Sequence, residues 1–397
     1  MLFLITGING FIAAHTAEQL LAKGHKVRGT IRSNKIDTLS QPAPTALEVV
    51  TIDDIASGDF TEALKGVDGV IHIAAPLPGA ASREVTFKSA IDGTLNVVRQ
   101  AQKAGVKKVV VTSTFGTLLH PNHYAAFAGL NFTEENWGGI SDEEFDQHKD
   151  DPLFIYMTAK TRAEQALWEF AKVNPEMDIS TIIPGYVLGP YSRLFVLPKS
   201  ASAMGTNSWV YEMMNKGRVP NAPNWIVDVR DIARAHAAAA LTPFPSQPGS
   251  AINPAERRFI INAQSYTWKE AVEHLLKTRP VLNGRFIPLD QIENLPGPVT
   301  SLDTTRAKNV LGIDGYIHPE TTFEQAVDDL LLVEKNLGQE PVQKVSRVLK
   351  TRKTLQKYKK SQKSDPRSLR KPRWLQKLRS SVKNRNLKLN GQFADGQ

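Results

Sequence analysis

Met1 is followed by four apolar residues, Leu2-Phe3-Leu4-Ile5, and then by Thr6-Gly7-Ile8-Asn9-Gly10-Phe11-Ile12-Ala13. The apolar run reads as a buried strand, and the glycine-punctuated stretch reads as a tight turn into a helix. Gly7 can take backbone angles closed to other residues, so the chain can turn sharply out of the strand. Gly10 has no Cβ, which lets a ligand come close to the backbone. The helix that follows presents unpaired N–H groups and the positive end of its dipole. Ala13 supplies a third small residue where helix packs on strand. A G-x-x-G-x-x-A pattern in a strand–turn–helix setting predicts a site for the pyrophosphate of a dinucleotide, faced by Gly7, Gly10, Phe11 and Ile12.

The rest of the first half fits that opening. Short β-rich runs at 2–6, 26–31, 47–52, 69–73, 108–113 and 179–183 alternate with helical stretches that begin near Phe11, Asp59, Ser89 and Tyr156. Gly24, Gly66 and Gly105 each separate a helical run from a strand, as C-cap glycines do. This alternation predicts an α/β fold, a doubly wound parallel sheet with right-handed crossovers. After Pro184, Pro and Gly become frequent and the helices shorter. We therefore expect a dinucleotide-binding domain over 1–184 and a smaller substrate lobe over 185–337, closing over the carboxyl edge of the sheet. Within that lobe a short strand is expected at 258–261 and a last helix at 322–335.

Charge divides the chain differently. Residues 338–397 carry 18 Lys or Arg against 3 Asp or Glu, whereas residues 1–337 carry 31 against 37. The mildly acidic body is the folded part in this reading, and the basic stretch is a tail. Its basic runs enclose Tyr358 and Trp374, a mixture that can meet nucleic acid or an anionic membrane surface. The plainer expectation is a disordered appendage or a misplaced gene end.

The chain has no cysteine, which excludes disulfides, thiolate metal sites and a cysteine nucleophile. No apolar run approaches the roughly eighteen residues of a membrane helix. A reducing, cytoplasmic setting is the expectation. The oligomeric state is not legible.

Tyr156 and Lys160 carry the chemistry. Four residues apart on a helix, a phenol and an ammonium share one face. A nearby cation favours the phenolate and is expected to bring the phenol toward neutrality. The pair is then a general acid for a carbonyl oxygen. Of the tyrosines, only Tyr156 has a lysine four residues on. Upstream, Thr112-Ser113-Thr114 ends a strand at the carboxyl edge of the sheet, where a hydroxyl can bond the substrate oxygen. His120-Pro121-Asn122-His123 reads as a loop, and no metal site is expected.

The residues quoted so far resemble the extended short-chain dehydrogenase/reductase superfamily. The resemblance is to its dihydroflavonol 4-reductase-like and fungal aldehyde/ketone reductase branch. Further motifs carry it over roughly residues 1–335: VIHIAAP at 70–76, VVVTSTFG at 109–116, PGYVLGP at 184–190, VDVRDIARA at 227–235 and LDTTRAKNVLG at 302–312. The resemblance implies a catalytic set of Thr114, Tyr156 and Lys160, with threonine where the family has serine. It implies that Asp54 and Ile55 hold an adenine, that Ala74 and Ala75 flank the cofactor, and that Pro184 and Val187 lie against a nicotinamide, with Lys160 on its ribose.

Cofactor choice has a physical argument of its own. An NAD site places a carboxylate after the second strand, to accept from the ribose 2′-hydroxyl. Between Lys26 and Asp37 there is no acid, but there are Arg28, Arg32 and Lys35. Arg32 falls where the family's 2′-phosphate-binding arginine falls, and a guanidinium grips phosphate bidentately. NADP(H) is expected rather than NAD(H).

The expected function is NADPH-dependent reduction of an aldehyde or ketone. Leu119 replaces the asparagine of the plant flavonoid enzymes, so a largely apolar carbonyl compound is expected, with Phe115, Leu119, Tyr186 and Trp225 as candidate pocket residues. A nucleotide-sugar epimerase or dehydratase and a non-enzymatic NADP(H) sensor are the alternatives.

Overall fold

A sheet buried on both faces needs strands that are apolar at every position. The chain comes closest to this in the central strands β1 (Leu2–Thr6), β4 (Gly69–His72) and β5 (Lys108–Thr112), while β2 (Lys26–Ile31) and β3 (Leu47–Thr51), toward the edge, mix in polar residues. Later strands are β6 (Asn131–Phe132), β7 (Asp178–Pro184), β8 (Tyr186–Leu188), β9 (Ile226–Asp228), β10 (Arg258–Ile261) and β11 (Ser301–Leu302). In the computed structural model, which describes residues 1–200, 203–215, 219, 222–244 and 253–337, seven of these form one parallel sheet in the order β3-β2-β1-β4-β5-β7-β10. The order reverses between β1 and β4, which is where such sheets bind ligands.

The helices are α1 (Phe11–Ala22), α2 (Arg83–Phe87), α3 (Gly93–Lys103), α4 (Asp142–Gln147), α5 (Pro152–Val173), α6 (Asn207–Met214), α7 (Val229–Leu241), α8 (Trp268–Thr278), α9 (Thr305–Leu311) and α10 (Pro319–Asn336). Strand alternation sorts the sheet's side chains between its two covers. Phe3, Ile5, Ile71, Val110, Ile182 and Phe259 pack with Ala13, Ala17 and Leu20 of α1 and with Ile232 and Ala235 of α7. Leu4, Val70, Val109 and Ile179 face the opposite way, onto Val97 and Val98 of α3 and Leu167 and Trp168 of α5. A third apolar cluster joins α6, α8 and α10 to Phe115, Tyr186 and Trp225.

Four expectations need revision. The stretch after Asp59 forms turns rather than a helix. Its first N–H groups are claimed by side chains, Phe60 by Gln100 Oε1 at 2.7 Å and Thr61 by Asp59 Oδ1 at 2.8 Å. The helix expected near Ser89 starts at Arg83, capped by the Ser82 hydroxyl, and passes through a π-turn at Lys88–Asp92. The helix carrying Tyr156 starts earlier, at Pro152, because Asp151 accepts from Leu153 N at 2.8 Å and Phe154 N at 3.2 Å. Asp-Pro is a readable start signal, and it places Tyr156 a full turn inside α5. Finally, the boundary expected at Pro184 does not divide the layers. Beyond it, β10 pairs with β7 at the sheet edge, while α7 and α9 pack onto the sheet's α1 side. The basic stretch 338–397 lies outside the described residues.

Candidate functional site

The glycine turn has the geometry its sequence asks for. Gly7 sits at φ +66°, and a Cβ there would come within 3.0 Å of the Ala74 Cβ. Gly10 N donates to Gly7 O at 2.8 Å, closing the turn. Gly10 then caps α1 without any side-chain hydrogen bond, and the first turn has no acid. The first N–H groups of α1 are thus left for an anion.

Thr6 ties this turn to the end of β4. Its Oγ1 accepts from Ile73 N at 3.0 Å and Ala74 N at 3.1 Å. Its own proton goes to His72 Nδ1 at 2.9 Å, and His72 Nε2 reaches Thr94 Oγ1 at 3.3 Å. Burial, helped by the nearby charge of Lys160, pulls His72 down to about 3. The imidazole is a neutral strut that fixes Ala74 beside Gly7, with Ala75 next along in the open.

At the far end of the turn, Arg32 and Lys35 are exposed around the short turn that follows β2. Asp53 accepts from Ser33 N and Ser33 Oγ, each at 2.7 Å, which seats that turn. Asp54 accepts from Ala56 N at 2.9 Å and Ser57 Oγ at 2.7 Å. These bonds hold its carboxyl below the usual range. Ile55 is wedged against Gly93, whose Cβ would lie 3.0 Å from Ile55 Cδ1. Asp54 and Ile55 thus form a shelf on the start of α3, one strand over from Arg32.

Thr114, Tyr156 and Lys160 come together past the end of β5. Thr114 caps a short turn, accepting from Gly116 N at 3.2 Å, and hydrogen-bonds the Tyr156 phenol. Lys160 is buried and donates from Nζ to Thr112 O at 2.7 Å. The expected lowering of the phenol by Lys160 is not found. Burial pushes Tyr156 up to about 12, with the Thr114 hydrogen bond opposing, and pulls Lys160 down to about 8, with the charge of Glu164 opposing. Near neutral pH the phenol keeps its proton, which is the form a proton donor needs.

The family model described as the NAD dependent epimerase/dehydratase family matches residues 3–254. The chain belongs to that family. Aldehyde reductase 2 of Sporidiobolus salmonicolor is 32% identical to it over 259 residues, 61% of this chain and 73% of that protein. Ketoreductase adrE of Penicillium roqueforti is 29% identical over 346 residues, 82% of this chain and 95% of that one. The crystal structure of yeast methylglyoxal/isovaleraldehyde reductase Gre2 complexed with NADPH has the same fold. Its TM-score is 0.70 at 24% identity, covering 84% of this chain and 99% of that chain.

In this family member the four candidate pocket residues share one aromatic cluster. Phe115 meets Tyr186 at 4.7 Å and Trp225 at 5.2 Å between ring centroids. Tyr156 packs against the same cluster. Trp225 is fully buried and donates from its indole to Thr300 O at 2.7 Å, and Leu119 is only 3% exposed. Those two side chains are placed as core. Phe115 and Tyr186, each 7% exposed, lie in the cluster against which Tyr156 packs, and burial raises the Tyr186 phenol, with Tyr156 adding to the rise. Pro184 ends β7, and Val187 faces the α1 side from β8. A cavity of about 430 Å³ opens between Arg83 and Glu84 of α2 and Pro152 and Ile155 of α5, with none of the four candidates in its lining.

Some neighbours of Tyr156 and Lys160 take places that the sequence alone does not assign. Ser113 donates to Glu164, so its hydroxyl is committed to the interior. Glu164 was legible in principle, four residues after Lys160 and eight after Tyr156. Trp209, against Tyr186 at 4.7 Å, had no local signal. His120 pairs with Glu144 at 2.9 Å, and His123 Nε2 lies 3.0 Å from Met157 Sδ. The two imidazoles are thus engaged separately. Among the described residues no three potential ligands cluster around a metal-sized space.

Proposed function

We propose that the protein reduces an aldehyde or ketone to an alcohol with NADPH, using Tyr156 as proton donor. The observation that carries this reading is the meeting of Thr114, Tyr156 and Lys160 beyond β5, on the sheet edge that also bears the Gly7–Ala74 turn. Aldehyde reductase and ketoreductase relatives support it.

The cofactor fits the residues present. Gly7 and Gly10 leave a turn with no room for side chains beneath it, and α1 begins with uncapped N–H groups for the pyrophosphate. Arg32 and Lys35 would hold the 2′-phosphate, Asp54 and Ile55 the adenine, Ala74, Ala75, Pro184 and Val187 the nicotinamide end. When bound, NADPH supplies the hydride that the protein's own side chains cannot.

The chain's residues do the rest. Thr114 and Tyr156 direct two hydroxyl groups at the substrate carbonyl oxygen. As that oxygen gains negative charge, Tyr156 gives up its phenolic proton and the alcohol forms. The buried ammonium of Lys160 stabilises the phenolate left behind. Phe115 and Tyr186 make the neighbouring wall apolar, which favours a carbonyl compound with a hydrophobic substituent.

A panel of aldehydes and ketones assayed in parallel with NADPH and NADH tests the proposal. Steady NADPH oxidation with at least one carbonyl compound is expected. Interconversion of nucleotide sugars without net cofactor loss would instead favour the epimerase reading.

A further inference from the structure

Behind the catalytic face lies a buried carboxylate that the chemistry above does not use. Glu164 is 4% exposed and stands one helical turn beyond Lys160 on α5. Its Oε1 accepts from Arg258 Nε at 3.0 Å, Thr181 Oγ1 at 2.9 Å and Trp168 Nε1 at 3.4 Å, and its Oε2 accepts from Ser113 Oγ. We propose that Glu164, fixed by Arg258 and Ser113, is a positioning residue that keeps Lys160 charged and seated behind Tyr156. The proposal rests on the reductase reading above.

The geometry gives Glu164 a reason to stay ionised. Burial favours the neutral acid, but the Arg258 guanidinium and the hydroxyl donors outweigh it and hold the carboxyl below the usual range. Its negative charge then faces Lys160 across a cavity of about 10 Å³ lined by Thr94, Thr112, Ser113 and Thr181. An ammonium buried as deeply as Lys160 would otherwise tend to lose its proton.

Arg258 extends the same device to Thr114. Its guanidinium is fully buried, lies 3.7 Å from the Trp137 ring centroid, and donates to Glu134 O at 2.6 Å and Asn136 O at 2.9 Å. Its remaining arm donates to Thr117 Oγ1 at 3.1 Å, and Thr117 in turn donates to Thr114 O at 3.0 Å. One ion pair therefore sets a negative charge near Lys160 on α5 and braces the Thr114 turn from β10. Stability alone does not call for it, since a buried pair adds little over a well-packed apolar one. An apolar pair could not present a negative charge to the lysine.

The titratable and charged groups around Lys160 are Tyr156 and Glu164 on α5, His72 on β4, His236 on α7 behind Thr112, and Arg258 on β10. His72 and His236 are neutral above pH 5, both lowered by burial, and Tyr156 keeps its proton. Glu164 is the negative charge in this set.

The test is the Lys160 titration in the full-length chain, followed through the Cε resonance of ¹³C-labelled lysine and assigned with Lys160→Arg. In Glu164→Gln the midpoint should fall by roughly one pH unit or more. The alkaline limb of NADPH-dependent carbonyl reduction should move down with it. Glu164→Asp, which restores the charge, should return both toward wild type. A purely structural role would lower the melting temperature and leave both midpoints in place. Because the amide strands Arg258, Glu164→Gln can fail to fold. The double variant Glu164→Met/Arg258→Met then carries the test, with a smaller fall because an opposing charge is also gone. A wild-type midpoint in whichever variant folds would overturn the proposal, and so would failure of both to fold. If the wild type reduces no carbonyl compound, the reductase reading fails while the resonance still judges Glu164.

Discussion

Lys160 donates to the Thr112 carbonyl oxygen across 2.7 Å, pinned to the strand from which Thr114 projects two residues later. The Thr112 hydroxyl in turn bonds His236 Nε2 at 2.7 Å, whose Nδ1 donates to Ile232 O at 2.8 Å. One strand end thus ties α5, through the Lys160 ammonium, to α7, through a neutral imidazole. The ammonium is seated by backbone, and the phenol meets the Thr114 hydroxyl instead.

This arrangement orders the two titrations. Lys160, pulled to about 8, loses its proton well before Tyr156, pushed to about 12. The rate of carbonyl reduction should therefore fall on the alkaline side with the lysine. A profile of kcat/KM against pH reports groups of the free enzyme. Its alkaline midpoint is expected near that of Lys160, and a midpoint near the phenol would contradict the assignment.

Replacing Tyr156 with Phe keeps the ring that packs on the aromatic cluster and removes only the hydroxyl proposed to donate the proton. Turnover should drop by at least roughly a hundredfold, the usual scale of general acid catalysis. NADPH binding, read by fluorescence titration, should hold. Unchanged turnover would remove Tyr156 from the chemistry.

Arg32→Ala tests cofactor choice. A charge-assisted bond contributes about 1.5–3 kcal/mol, so the dissociation constant for NADPH should rise roughly tenfold or more. NADH has no 2′-phosphate, and its affinity should stay put. Parallel losses for both cofactors would place Arg32 in the fold rather than in recognition.

Much of this was legible because it is local. Strand runs of Val and Ile, the glycines at 7 and 10, and the four-residue spacing of Tyr156 and Lys160 need no knowledge of distant residues. The phenol's environment does need it. Charge proximity favours a lowered phenol, but burial against a cluster brought together from several parts of the chain prevails. The same holds for β10, whose place beside β7 depends on pairing across more than seventy residues. Ser113 and Thr114 differ by one residue, yet strand alternation turns Ser113 inward to Glu164 and leaves Thr114 at Tyr156.

Leu119 separates core from pocket wall. At 3% exposure its truncation leaves a cavity, and Leu119→Ala should cost about 2–5 kcal/mol. Chemical denaturation should register that loss, with the relative rates across a carbonyl panel unchanged. An altered substrate preference at unchanged stability would return Leu119 to the pocket.

Acid should unfold the protein through its buried histidines. Burial lowers His72 to about 3, and His123 and His236 to about 4, from an ordinary value of 6.5. Each is neutral in the fold and takes up a proton more readily once unfolded. Their contribution is therefore complete above pH 6.5 and is lost progressively as the pH falls toward 3 to 4. A tenfold difference in proton affinity between the folded and unfolded chain corresponds to about 1.4 kcal/mol, so three such groups can remove several kcal/mol. Melting temperatures across this range should fall steeply for the wild type. His236→Gln can keep the bond to Thr112 but has no group to titrate, so it should start lower at neutral pH and lose less on acidification. A steeper loss in that variant would show that acid lability comes from elsewhere.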